Sequence, residues 1–118
     1  MKKKSHTINT RVKGKVGERY FAKLLREVFP DVQRNAGTQS REGGCDLINT
    51  SPFNFEIKYG STYKSKKVRS WIDQVQREGL SSNWNIVLVK PDREKSYAVI
   101  PFEDLVEILL NMKTNDIF

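Results

Sequence analysis

Asp46, and ten positions further on Glu56 and Lys58 with only Ile57 between them, are the residues of this sequence whose types and spacing suit chemistry. The stretch from Gly43 to Lys58 reads as two short strands around a turn. Cys45 to Ile48 is mostly apolar, Asn49 to Pro52 has turn chemistry, and Phe53 to Ile57 alternates with period two. The alternation sends Phe53, Phe55 and Ile57 to one face and Asn54, Glu56 and Lys58 to the other. With the turn centred on Ser51, Asp46 falls directly across from Glu56 in an antiparallel pair, and Leu47 across from Phe55. Two carboxylates then meet beside a lysine. Like charges a few Å apart raise each other's pKa or demand a counter-charge. A pair of carboxylate donors suits Mg²⁺ or Mn²⁺, which keep waters and accept phosphate oxygens. Lys58 is placed to orient or deprotonate an attacking water. The bland alternative is an ordinary surface hairpin, since the same triplet occurs in many strands.

The elements that must position these residues are legible from periodicity. Residues 1–10 have no hydrophobic period and include Lys2, Lys3 and Lys4, so they read as a flexible basic arm. From about Arg11 to Phe29 the apolar residues Val16, Tyr20, Phe21, Leu24, Leu25 and Val28 mark an amphipathic helix that Pro30 ends. Glu18 lies on a different flank from Leu24 and Leu25, where it could be simply solvated. Asp31 to Ala36 is the first strand. The Gly-rich loop Gly37 to Gly44 then lets backbone approach a ligand closely and offers Thr38, Ser40 and Arg41 as donors to a DNA backbone; a plain connection is the alternative. After Lys58 comes a basic cluster of Lys64, Lys66 and Lys67, placed to hold phosphates or simply solvated. A helix from Val68 to about Glu78 is stopped by Gly79, with Trp71 and Val75 on its core side and Gln74 beside them. Trp84 to Lys90, apolar on both faces, is a central strand, and Ser96 to Ile100 returns as another. A last helix opening at Pro101 carries Leu105, Val106, Ile108, Leu109 and Met112, enough to cover the sheet's remaining face. Residues 113–118 form a short frayed tail.

The 118 residues make one domain, 11–112, with no internal repeat. One cysteine, Cys45, forbids an internal disulfide, and no apolar run is long enough for a signal peptide or a membrane span, so a cytoplasmic setting is expected. The single His6, in the basic arm, is a poor candidate for a zinc ligand or a catalytic base, and no phosphate-binding glycine fingerprint is present. Twenty-one Lys and Arg against fourteen Asp and Glu give a formal charge of +7, which favours an anionic partner such as nucleic acid.

Asp46 followed by Glu56-Ile57-Lys58 resembles the active-site signature of the PD-(D/E)XK nuclease superfamily, with Cys45 standing where the usual proline precedes the aspartate. The order α, three strands, α, two strands, α is also that superfamily's: an α/β, restriction-endonuclease-like core with a mixed five-stranded sheet flanked by helices. The Gly17-Glu18-Arg19 triplet resembles the start of archaeal-type Holliday junction resolvases, and a chain with little beyond the core resembles minimal resolvases, including phage-encoded ones. The resemblance implies that Asp46, Glu56, the Ile57 carbonyl and Glu18 hold the metal, that Lys58 positions the nucleophile, and that Gln74 lies near it. It also implies cleavage of branched DNA to 5′-phosphate and 3′-hydroxyl ends by a homodimer. A nuclease of the same fold with another DNA substrate, and a non-catalytic basic DNA-binding module, are the alternatives.

Overall fold

A computed structural model describes residues 2–35, 44–60 and 68–118, with residues 2–13 described in backbone alone. The elements run α1 (Lys2–Leu25), β1 (Gln33–Arg34), β2 (Leu47–Ile48), β3 (Phe53–Tyr59), α2 (Val68–Glu78), β4 (Trp84–Lys90), β5 (Tyr97–Val99) and α3 (Phe102–Thr114). This is the expected order, but the strands do not form one five-stranded sheet. They divide into an antiparallel pair β1-β2 and a sheet β3-β4-β5, in which β4 runs parallel to β3 and antiparallel to β5.

The division has a local cause. The Asp46 N–H donates to the Phe55 carbonyl, but the next N–H along β3, that of Ile57, donates to the Asp46 side chain at 2.8 Å. A carboxylate oxygen therefore stands where a backbone ladder would continue, and β2 turns instead to β1, with Gln33 opposite Ile48 and Arg34 opposite Leu47.

Parallel strands need a crossover, and α2 supplies it between β3 and β4. Alternate residues of β4 serve two cores. Ile86 and Leu88 join Phe21, Ala22, Val32, Leu47, Phe55 and Ile57 on the α1 side. Val87 and Val89 join Cys45, Trp71 and Val75 under α2. Asn54 pins the far end of α2: its amide donates to the Leu80 carbonyl and to Asn85 Oδ1, and its own oxygen accepts from Asn83.

Two elements depart from the sequence reading. The helix expected from Arg11 begins at Lys2, so the backbone of residues 2–10 is helical, not a flexible arm, and it ends at Leu25, one turn before Phe29. Extending an established helix costs little per residue, and no proline interrupts Lys2 to Leu25. The last helix spans its expected residues, yet none of its side chains is buried and none joins either core. It is tied down through its polar side: Asp104 accepts from the Asn85 N–H at 2.7 Å and Glu107 from the Trp84 indole at 2.9 Å. Phe102, Leu105, Val106 and Leu109, at helical spacings of three and four, are left exposed.

Close approach of α1 to β3 depends on Gly17, where an added Cβ would come within 2.5 Å of Tyr59 Cβ. Gly17→Ala gains about 1 kcal/mol of helix propensity but imposes an overpacking cost of about 1–3 kcal/mol. A net loss of stability in urea unfolding is expected, and an unchanged or raised midpoint would show that α1 does not pack here.

Candidate active site

The polar face of β3 is not a solvated surface. Four consecutive residues, Asn54 to Ile57, are buried, because α1 covers one face and α2 the other. Glu56 is only 3 % exposed, which leaves no place for the surface-hairpin alternative.

Asp46 is held opposite it by backbone on both sides. Its carbonyl accepts from the Asn35 N–H, the Cys45 carbonyl accepts from the Asn35 amide, and the Gly44 N–H donates to the Glu78 carbonyl. Its N–H and carboxylate bracket Glu56 through Phe55 and Ile57. The carboxylates of Asp46 and Glu56 thus meet as the alternation of β3 implied.

Lys58 Nζ lies 3.6 Å from Glu56 Oε2 and donates to Gln74 Oε1 at 2.8 Å. Gln74 Nε2 is 3.4 Å from both oxygens of Glu78. An ammonium only donates and a carboxylate accepts, so these neighbours dictate which way the amide faces. Glu78 is the residue that sequence reasoning missed. It sits one turn beyond Gln74 on a helix whose span was legible, so the i, i+4 spacing was the available signal.

Electrostatics set this cluster apart. Burial, then the Asp46 charge, push Glu56 from an ordinary 4.5 up to about 9, with Lys58 opposing and Glu78 adding. Burial likewise raises Asp46, against the lowering effect of the Ile57 N–H. Burial first, then the neighbouring carboxylates, raise the Cys45 thiol to about 12, so it is a packed neutral residue and not a nucleophile. Glu56 Oε1 is buried with no hydrogen-bond partner.

An orphaned buried carboxylate oxygen facing a second carboxylate fits a divalent cation. Asp46 and Glu56 are the side chains that would hold it, with the Ile57 carbonyl as the expected backbone donor. Among the described residues no three acidic, His or Cys side chains close into a complete cage. Two carboxylates with open positions suit a hard ion that keeps waters.

Glu18 is placed differently from its neighbours: it accepts from Arg34 Nε at 3.0 Å. Its pKa is raised by burial, with Asp46 adding and Arg34 opposing, so it borders the cluster from the α1 side. Thr38, Ser40, Arg41, Lys64, Lys66 and Lys67 lie outside the described residues. No helix among the described residues is long and apolar enough to cross a membrane.

Because Glu56 holds its proton more tightly folded than unfolded, its contribution to stability is complete below about pH 4.5 and is lost as pH rises toward about 9. In chelator the thermal midpoint should fall between about pH 5 and pH 8. Glu56→Gln should flatten that dependence, and Mg²⁺ should restore the wild-type midpoint at the alkaline end. A midpoint insensitive to all three would contradict the buried pair.

Compared with known proteins, the chain matches a family model described as "Phage putative PDDEXK endonuclease" over residues 9–118. No curated protein and no solved structure matches it. The match takes in both carboxylates, Lys58, α2, α3 and α1 from residue 9 onward, and the chain belongs to this phage PD-(D/E)XK endonuclease family.

Proposed function

We propose that the protein is a divalent-metal-dependent endodeoxyribonuclease that cuts branched DNA in the manner of a Holliday junction resolvase, leaving 5′-phosphate and 3′-hydroxyl ends. The observation that carries the metal-dependent reading is the buried Asp46–Glu56 pair with its unpartnered oxygen, beside Lys58. When bound, Mg²⁺ or Mn²⁺ supplies the Lewis acidity that polarises a phosphodiester and lowers the pKa of an attacking water. Lys58 orients that water and balances charge developing on the phosphate. Gln74 holds the ammonium in place, and Glu78 holds Gln74. Asp46 is kept in line by the Ile57 N–H.

A DNA substrate follows from the family. The choice of a junction rests on the Gly17-Glu18-Arg19 triplet within α1, which resembles the start of archaeal-type Holliday junction resolvases. The second reading, a nuclease of this fold acting on another DNA, is supported by the family description, which names an endonuclease without specifying a branched substrate.

Paired cuts across a junction need two sites related by a two-fold axis, hence a homodimer. Support comes from α3, whose outward residues Phe102, Leu105, Val106 and Leu109 form an apolar face in a helix anchored by its acidic side. Leu109→Glu should convert a dimer to a monomer by light scattering without changing the thermal midpoint by more than a few degrees. A wild-type monomer at tens of micromolar would remove the dimer.

The deciding experiment incubates the protein with labelled four-way junction and with linear duplex, with Mg²⁺ or chelator. Symmetrical metal-dependent cuts in the junction alone are expected, and equal cutting of both substrates favours the second reading. Asp46→Asn should lose at least a hundred-fold in cleavage while keeping or strengthening DNA binding, because removing a carboxylate removes repulsion against phosphate. Wild-type cleavage by Asp46→Asn would exclude this site.

A further inference from the structure

An open groove of about 570 Å³ lies between α1 and β1, lined by Arg19, Ala22, Lys23, Arg26, Gln33 and Arg34. Four of these six carry positive charge and none is acidic or aromatic. Arg19 and Lys23, four residues apart, share one face of α1, and Arg26 follows in the turn just past its end, with Ala22 as the small residue that keeps the floor low.

The geometry points to this groove as a binding track for the sugar-phosphate backbone of duplex DNA, leading to the carboxylate cluster. Arg34 is the residue shared by track and cluster: it lines the groove and donates to Glu18 at 3.0 Å. Arg34 also stands opposite Leu47 in the β1–β2 pair, next to Asp46, and the following residue, Asn35, donates its N–H to the Asp46 carbonyl. A phosphate chain lying along Arg26, Lys23 and Arg34 would therefore continue toward Asp46 and Glu56. Arg26 is steadied by one bond to the Val32 carbonyl at 3.1 Å, and a guanidinium has further donors to offer. The absence of aromatic side chains from the lining leaves nothing for unpaired bases to stack on, so the track suits backbone contact, indifferent to sequence. None of these residues stood out in the sequence as a ligand site, because the groove needs β1 folded against α1 before its four cations share one surface.

The inference takes its ligand from the nuclease reading, and the test separates the two. Binding of a labelled blunt duplex is followed by fluorescence anisotropy in chelator across a series of salt concentrations, for wild type, Lys23→Ala/Arg26→Ala and Arg93→Ala/Lys95→Ala. Both double variants remove two exposed cations, the second pair from the β4–β5 loop. The groove variant should lose about ten-fold or more in affinity, and its plot of log K against log salt should be shallower by about 1.8, at about 0.9 per phosphate contact. The loop variant should keep the wild-type slope. Lys23→Arg/Arg26→Lys, which keeps both charges, should restore the slope and guards against a folding defect. Equal slopes for the groove and loop variants would overturn the track. So would displacement of the duplex by millimolar inorganic phosphate at constant ionic strength, which would mark a pocket for a small anion. Cleavage of the same duplex and of a junction by wild-type protein is scored separately with Mg²⁺ and Mn²⁺. No cleavage together with a groove-dependent slope would sink the nuclease reading and leave the track standing.

Discussion

Glu56 is carried into the interior by the strand that builds the core. Phe55 and Ile57 must face α1, so Glu56 and Lys58, one step out of phase, must face α2. That second face is covered because β4 runs parallel to β3 and the connection has to cross over the sheet as a helix. A carboxylate is thus desolvated beside Asp46, with an ammonium at 3.6 Å and one oxygen without a partner. Removing one charge of such a cluster from water is costly unless it is paired. The chain tolerates that cost where local rules are otherwise obeyed, which is the pattern expected of a site kept for chemistry.

Polar side chains also decide the tertiary arrangement around this cluster. Asp46 replaces one rung of a β-ladder and so divides the strands into two sheets. Asn54 closes the turn between α2 and β4, and Gly79 allows it, since a Cβ there would collide with the Asn54 amide. Asp104 and Glu107 dock α3 on the start of β4. Within that helix only Asp104, Ile108 and Met112 are partly buried, while Phe102, Leu105, Val106 and Leu109 face outward.

The candidate carboxylate pair was legible because period-two alternation and a short turn are local properties, and they brought Asp46 to the strand that carries Glu56. The spans of α2 and β4 were legible, because Gly79 and the apolar run from Ile86 to Val89 behind Trp84 are strong signals. Residues 2–10 were misread, since a polar helix without an apolar stripe carries no period to detect. Helix α3 was read correctly as a helix and wrongly as a cover, because amphipathicity says that one face is apolar and not which neighbour it meets.

By itself, then, the sequence determined the element order, the side of β3 on which Glu56 and Lys58 stand, and the chemistry two carboxylates and a lysine can do. Tertiary structure alone decided that this side is buried, that Glu78 joins Gln74 beneath α2, that Arg34 engages Glu18, and that the strands part into two sheets. The division follows from range: backbone period and turn chemistry act between near neighbours, whereas burial, pKa and charge pairing depend on which distant segments pack together.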